Sequence, residues 1–314
     1  MLRYALRRLA LALVIVLVAM AMLFAMLHLV PGDPASIALG PRATPEMRED
    51  FRVRMGLDRP IPVQFARFVA NTLRGDLGTD VWSNQPVARL VWLALPHTGA
   101  LATLGIGWAI LLGIPLGCFS ALHRGSWLDR VAGVLSVSAI AVPSFIVAIY
   151  ALLVFAVWLK WFPAIGAGRP DDLGSRLWHL ALPAFAIGVG WVGYLARLVR
   201  ASMLEVLGEP YIRTARAFGL PERRIVFRHA LKLAILPTVI LLGVGIGRLL
   251  SGAVFAEIVF ARPGLGRLVY DGVVTRNYPV VLGTVLVTTW LFVLCTLAAD
   301  LVAALLDPRV REKL

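Results

Sequence analysis

The sequence predicts an all-α protein that crosses a membrane six times, and three observations predict this class. Hydrophobic residues make up 59% of the 314 residues and charged residues only 16%, whereas soluble domains carry about a quarter charged residues. Six long apolar runs divide the chain, and the positive charges cluster between some of these runs and not others. Because a backbone amide has no water partner in hydrocarbon, each run is predicted to be a helix.

The first apolar run covers residues 9–30 and is polar only at His28. As a helix rising about 1.5 Å per residue it would be about 33 Å long, enough to cross a bilayer. Three arginines precede it, as in a signal peptide, but the run is longer than a signal-peptide core and no small-residue cleavage site follows. We therefore expect this span to be retained. The other runs cover residues 96–121, 131–158, 178–200, 233–257 and 279–305.

The distribution of charge predicts the orientation. If the N-terminus is cytoplasmic, the cytoplasmic segments hold 16 Lys and Arg against six Asp and Glu, while the outer segments hold 14 against 11. Cytoplasmic segments of membrane proteins carry the excess of Lys and Arg, so both termini are predicted to be cytoplasmic. The net charge of +13 would also suit a nucleic-acid-binding protein, but its location favours a membrane surface, and no nucleic-acid partner is expected.

The spans imply a division of the chain into four parts. Residues 1–30 would be the N-terminal segment and first span, 31–95 a periplasmic cap, 96–308 the membrane core with a cytoplasmic loop at 201–230, and 309–314 a cytoplasmic tail. Within the cap, Thr44 before Pro45 predicts the start of a helix that ends at Gly56. The turn-forming residues of 74–87 predict a structured loop.

Enzymatic motifs are missing or occur in the wrong context. The stretch GVGWVG at 188–193 matches a dinucleotide-binding pattern, but it lies inside an apolar run with no strand before it. Cys118 and Cys295 stand singly in apolar runs and are predicted to be packing residues. There is no phosphate-binding loop, zinc-protease motif or nucleophile elbow. The sequence therefore predicts a protein that is not an enzyme and has no metal site or cofactor of its own, so any energy for its work would come from another subunit.

The densest block of cations lies between two apolar runs, at EPYIRTARAFGLPERRIVFRHALK, residues 209–232. On a helix, one apolar arc of about 120° would hold Tyr211, Ile212, Ala215, Phe218 and Gly219. The small residues Ala215 and Gly219 lie between Tyr211 and Phe218, so a partner's surface could approach the backbone there. Gly219 can end this helix in a left-handed conformation, and Pro221 suits the start of a second helix that continues into the fifth span. The pattern predicts a helical elbow. Docking to a protein partner and resting on anionic lipid are both compatible with it.

Residues 211–231, YIRTARAFGLPERRIVFRHAL, resemble the ATPase-coupling segment of ABC importer permeases in the dipeptide, oligopeptide and nickel family, specifically the B-type permease subunit. Other segments are similar to that family in the same order along the chain. These are MLRYALRRL at 1–9, HLVPGDPA at 28–35, MGLDRPIPVQ at 55–64, RGDLGT at 74–79, GIPLG at 113–117, VPSF at 142–145, RASMLEVLG at 200–208, PGLGR at 263–267, NYPVV at 277–281 and LLDPRVR at 305–311.

The resemblance implies a type I ABC importer permease in the bacterial inner membrane. Such a subunit pairs with a second, homologous permease, sits on two cytoplasmic ATPases that bind ATP and magnesium, and receives its cargo from an extracytoplasmic binding protein. The residues implied in ATPase coupling are Glu209, Tyr211, Ile212, Arg213, Thr214, Ala215, Arg216, Phe218, Gly219 and Leu220. Arg213 and Lys232 depart from the wider pattern of ABC permeases, which has a glutamate at the first position and often a proline at the second.

Arg248 is the one cation deep within a predicted span, where an ionisable group normally faces a cavity or a partner. Two interpretations stay open: a structural pairing, or a pore-lining charge that favours a cargo with a carboxylate. Ser144 and Glu257 are further candidates for the substrate path. A guanidinium would oppose passage of Ni²⁺, and the spans offer no chain of metal ligands, so di- and oligopeptides are the favoured cargo.

The segment 260–281 is predicted to be an outer loop that forms part of the outer gate and the platform for the binding protein. Its candidate residues are Pro263, Gly264, Gly266, Asn277 and Tyr278. Arg262 stands where the family pattern has a tryptophan. Alternatives to a peptide importer are a permease for nickel, glutathione or another small solute, an ATP-independent secondary transporter or channel, and a membrane scaffold that does not transport.

Overall fold

The computed structural model describes residues 2–29, 44–55 and 59–306, and within these ranges the chain forms helices and no β-strand. The helices are α1 (Leu2–Leu29), α2 (Pro45–Met55), α3 (Ile61–Leu73), α4 (Val87–Leu122), α5 (Trp127–Ala141), α6 (Ser144–Ala151), α7 (Leu173–Leu207), α8 (Pro210–Ala217), α9 (Glu222–Arg224), α10 (Leu231–Ala234), α11 (Leu236–Val259), α12 (Leu265–Val274) and α13 (Tyr278–Leu306). Two π-helical stretches, Leu152–Trp158 and Ile225–Ala230, extend α6 and join α9 to α10. The all-α prediction is confirmed.

Four of these helices are long and apolar enough to cross a membrane without interruption: α1, α4, α7 and α13. Two further candidate spans are bent pairs, one of Trp127–Ala141 with Ser144–Trp158 at 100°, the other of Glu222–Ala234 with Leu236–Leu242 at 44°. Counting each pair as one span gives the six that the sequence predicts.

The 100° bend between α5 and α6 has a local cause. Val142 adopts an extended conformation, with φ −85° and ψ 122°, because the ring of Pro143 disfavours the helical conformation for the residue before it. Pro143 also has no backbone N–H to continue the ladder of helical hydrogen bonds. The run 131–158 is therefore two helices and not one.

The described residues form two compact units. The first comprises Gly99–Arg262 and the end of the chain from Cys295. Within it α7 is central and packs against α5, α6 and α11. Glycines allow backbones to touch: a Cβ on Gly117 would lie 2.6 Å from the Ala196 carbonyl oxygen, and one on Gly193 would lie 2.5 Å from that of Ser136. The glycines at 113 and 117 thus allow close packing of α4 against α7.

The second unit comprises Leu2–Thr98 and Pro263–Leu294. Its α1 buries Val16 and Met20 against Leu286 and Val293 of α13. Phe24 also lies against Phe65 of α3, with ring centroids 5.4 Å apart. Helix α3 was not among the predicted elements, although Pro60 and Pro62 suit a helix start.

Both predicted features of the cap are present. Helix α2 begins after Thr44, whose hydroxyl accepts a hydrogen bond from the Met47 amide at 3.2 Å, while the predicted stop at Gly56 lies outside the described residues. The loop before α4 is ordered by left-handed turns at Gly75 and Gly78 and by a bond of 2.9 Å from the Val87 amide to the Gly78 carbonyl.

Candidate coupling site

The elbow predicted from the basic segment is a short helix, α8, with an ordered glycine end. It begins after Glu209 with Pro210 in its first turn. At its end the Leu220 amide donates to the Ala215 carbonyl at 3.2 Å, and the Gly219 amide donates to the Arg216 carbonyl at 2.9 Å. Gly219 has φ +74°. This pair of bonds around a left-handed glycine is a Schellman motif, so the predicted glycine stop is confirmed.

One side of α8 is covered by the rest of the first unit. Ile212 is completely buried in a cluster with Met203 of α7 and Ile225. Ala215 and Leu220 are partly buried against the same cluster. Helix α8 folds back against the end of α7, which covers this edge of the arc and leaves Ala215 only partly open.

The other edge of the apolar arc is open. Tyr211 is 41% exposed and Phe218 is 81% exposed. Burial raises the pKa of Tyr211, and the nearby Glu209 carboxylate raises it further, so its phenol stays neutral near pH 7. In the described structure the elbow thus exposes two aromatic rings on one side, while its other side is packed against the cluster around Ile212.

The charged side chains of the elbow bind its own backbone and the next helix. Arg216 donates from Nε and Nη2 to the two carboxylate oxygens of Glu222 at 2.6 and 3.4 Å. Arg213 donates to the Gly208 carbonyl at 3.3 Å, and the Thr214 hydroxyl donates to the Pro210 carbonyl at 3.1 Å. Because Arg216 and Glu222 are exposed, their pair contributes only about 0.2–1 kcal/mol.

The chain continues from the elbow into the fifth span as predicted, but with a bend. The stretch Glu222–Ala234 is helical throughout, and the axis turns by 44° at Ile235, before Leu236 begins α11. Pro237 in the first turn of α11 leaves that position without an amide donor, which suits a new helix start.

A cleft of about 720 Å³ lies between the elbow and the turn that joins α4 to α5. His123 and Arg124 line it on one side, and Arg216 with Phe227 on another. Its wall is formed by Leu204 and neighbouring residues near the end of α7. The elbow is therefore packed along one edge against the ends of α7 and α4, and the cleft opens beside it.

Sequence reasoning missed a buried ion pair in the same unit. Asp129 of α5 is 6% exposed, and Arg200 of α7 donates to its two oxygens from Nε at 2.7 Å and from Nη2 at 2.8 Å. The signal available in the sequence was an acidic residue at the edge of an apolar run and an arginine at the end of another. Their pairing could not be inferred because 71 residues separate them.

The candidate substrate-path residues are not assembled into one site by the described contacts. Ser144 lies at the start of α6, where a Cβ on Gly252 would be 3.7 Å from its hydroxyl. Glu257 is completely buried, and its carbonyl accepts a bond from the Arg262 amide at 2.8 Å. The side chain of Arg248 lies outside the part of the chain that the structure describes.

Arg262 has a structural role that the family pattern did not predict. It is 2% exposed and donates from Nη1 to the carbonyls of Gly166 at 3.3 Å and His179 at 3.2 Å. Burial lowers the pKa of Arg262, while the charge of Glu257 acts to raise it. The guanidinium thus ties the segment before α7 to the end of α11.

The candidate outer-gate residues belong to the second unit. Contrary to the expectation of a loop, the segment contains helix α12. Gly264 and Gly266 are buried while Pro263 is exposed, and the Leu265 amide donates to the Thr98 hydroxyl at 2.8 Å.

Asn277, which is 4% exposed, donates from Nδ2 to Asp80, and Tyr278 follows it at the start of α13. Burial raises the pKa of Asp80, but hydrogen bonds from Ser83, from the Trp82 amide and from Asn277 lower it more, so the net shift is downward.

These features define a class: a helical membrane protein of several spans, with a short exposed helix between two of them. Comparison with known proteins identifies the family. Residues 113–312 match the family described as the inner membrane component of binding-protein-dependent transport systems, and residues 1–101 match the N-terminal region of such membrane components. The chain belongs to this family. It is a multi-pass inner-membrane permease of an ABC importer and not itself an enzyme, since ATP hydrolysis resides in partner subunits.

Curated relatives match over the full length. The glutathione transport system permease protein GsiC of Pectobacterium atrosepticum is 38% identical, with 100% of both chains covered. The dipeptide transport system permease protein DppB of Alkalihalophilus pseudofirmus is 34% identical, covering 99% of this chain and 100% of that one. An inward-facing structure of the MetNI methionine ABC transporter matches with a TM-score of 0.59 and 20% identity, over 69% of this chain and 96% of its own; this likeness supports the fold.

Proposed function

We propose that this chain is the permease subunit of an ATP-driven importer of short peptides, and that the elbow α8 is its contact with the cytoplasmic ATPase. One observation carries the proposal: α8 is buried on one side against α7 and exposes Tyr211 and Phe218 on the other. Exposed aromatic side chains on a fixed helix are typical of residues that anchor an interface. The elbow is then cytoplasmic, and with six spans both termini are cytoplasmic too, as the charge distribution predicts.

Mechanical coupling follows from the way the elbow is attached. When the two ATPases close on ATP, a groove on each would carry one elbow with it. Because Ile212 is locked into the cluster with Met203 and Ile225, the helix cannot slide without moving the end of α7. The spans of this chain and of a second, homologous permease would then rotate between inward-open and outward-open states, and a binding protein outside would deliver the cargo.

A peptide cargo is supported by the relatives and by charge. Two of the similar proteins carry names for transport of glutathione and of dipeptides, and both solutes have free carboxylates. The cation Arg248 within α11 would favour a carboxylate and oppose a metal cation such as Ni²⁺. Glutathione is the second candidate cargo because the relative that is 38% identical bears that name.

The test is uptake by proteoliposomes that contain this chain, its partner permease and the ATPases, with the binding protein added outside. We expect uptake of labelled alanyl-alanine or glutathione that requires ATP inside and persists when ion gradients are collapsed. Uptake without ATPase subunits, driven by an ion gradient, would overturn the proposal in favour of a secondary transporter.

A variant of the elbow tests the coupling contact. We expect Gly219→Asp to abolish uptake while the complex still assembles, because the new side chain stands at the exposed end of α8 and the left-handed conformation disfavours it. Gly219→Ala introduces the strain without the charge. Gly75→Asp is the matched control, since Gly75 is exposed and also has a positive φ, +82°, with open space around its Cβ position. Wild-type uptake by an assembled Gly219→Asp complex would contradict the coupling role.

A further inference from the structure

Asp129 joins three parts of the first unit with a fully satisfied carboxylate. One oxygen accepts from Arg200 Nε at 2.7 Å and from the Ser120 hydroxyl of α4. The other oxygen accepts from Arg200 Nη2 at 2.8 Å and from the Gly125 amide of the α4–α5 turn at 3.0 Å. We call these four residues, Ser120, Gly125, Asp129 and Arg200, the Asp129 junction. Bidentate charge-assisted bonds of this kind define an orientation as well as a distance.

The junction closes the end of a block of helices that already touch backbone to backbone. Gly117 places α4 against α7, and Gly193 places α7 against α5, in both cases with no room for a Cβ. Close-packed interfaces cannot deform continuously, so the three helices should move as one body where they are pinned. The junction pins them at the end of α4 and the start of α5.

The same end of α7 holds the elbow. Val199 and Met203, which flank Arg200 along the helix, are both completely buried in the cluster that contains Ile212 of the elbow. The same cluster contains Cys118 and Ala121 of α4, so a force on α8 reaches both α7 and α4 through apolar packing. From Arg200 it reaches α5 through the carboxylate of Asp129.

We propose that Asp129 and Arg200 are positioning residues that make α5 follow the elbow during transport. This inference rests on the proposed coupling role of α8. The elbow would keep its ATPase contact without the pair, because its own attachment to α7 is apolar. What would be lost is transmission to α5, so ATP hydrolysis would continue while less cargo crosses per ATP.

The test compares cargo uptake with ATP hydrolysis in the reconstituted complex, using labelled glutathione and alanyl-alanine as probes. For Asp129→Asn and for Arg200→Lys, which removes the two-pronged geometry but keeps the charge, we expect the ratio of uptake to hydrolysis to fall by about fivefold or more. Ser120→Ala removes one bond of the four and should give a smaller fall. Arg130→Gln is the control, since Arg130 neighbours Asp129 but is exposed.

Two results would overturn the proposal. One is an assembled Asp129→Asn complex with the wild-type ratio. The other is a parallel fall in uptake and hydrolysis that simply follows the amount of assembled complex, which would make the junction a folding element only. If Gly219→Asp uncouples the complex and the junction variants do not, this inference fails while the proposed function stands; if uptake needs no ATPase, both fail.

Discussion

Phe218 and Ile212 lie on opposite edges of one short helix, and their substitution should have opposite consequences. Phe218 is 81% exposed, so Phe218→Ala should leave the unfolding temperature of the chain unchanged. If the ring is buried in an ATPase groove, its loss removes about 1.5–3 kcal/mol of binding free energy. That energy corresponds to a roughly 10- to 150-fold weaker Kd for the ATPase.

Ile212→Ala removes a completely buried side chain from the cluster behind the elbow and should cost about 2–5 kcal/mol of folding stability. The assay titrates the permease pair in nanodiscs with purified ATPase and measures Kd, alongside thermal unfolding of each variant. Phe227→Ala is the matched control, because Phe227 is 60% exposed but lies beyond the elbow, after the glycine that ends it. An unchanged Kd for Phe218→Ala, or an equal loss for Phe227→Ala, would refute the docking role of the elbow.

Two predictions concern pH and buried charge. Because the folded state lowers the pKa of Asp80, its carboxylate stabilises the fold above the ordinary pKa of about 4, and this stabilisation is lost as pH falls through the lower folded value. The unfolding temperature of the wild type should therefore fall more steeply below about pH 4 than that of Asp80→Asn. Parallel curves of unfolding temperature against pH for the two proteins would contradict this. Arg262→Met leaves Glu257 buried without that cation and should destabilise the chain by about 3–5 kcal/mol, measured by thermal unfolding in detergent. Arg267→Met, at an exposed position, is the control. Equal unfolding temperatures for the two variants would show that the buried charge pair contributes little.

The sequence by itself determined the class of fold and the elbow. Apolar runs of span length leave a helix as the way to satisfy backbone amides in hydrocarbon, so the all-α character and the six candidate spans could be predicted without any contact being known. The elbow was equally local: Pro210 can start a helix, and Gly219 can end it with a positive φ, whatever surrounds them.

Tertiary structure decided which side of each helix is used. The sequence shows one apolar face on α8, which includes Tyr211 and Ile212. The packing of α8 against α7 divides this face into a buried edge with Ile212 and an open edge with Tyr211.

Contacts between residues that are far apart in the sequence cannot be predicted from hydrophobic periodicity. Asp129 meets Arg200 across 71 positions, and Arg262 reaches the Gly166 carbonyl across 96. Such pairs arise because a buried charge requires a partner, and packing alone determines which partner comes within reach. Sequence patterns therefore predicted the elements of this permease, while the buried charges that connect those elements emerged from the fold.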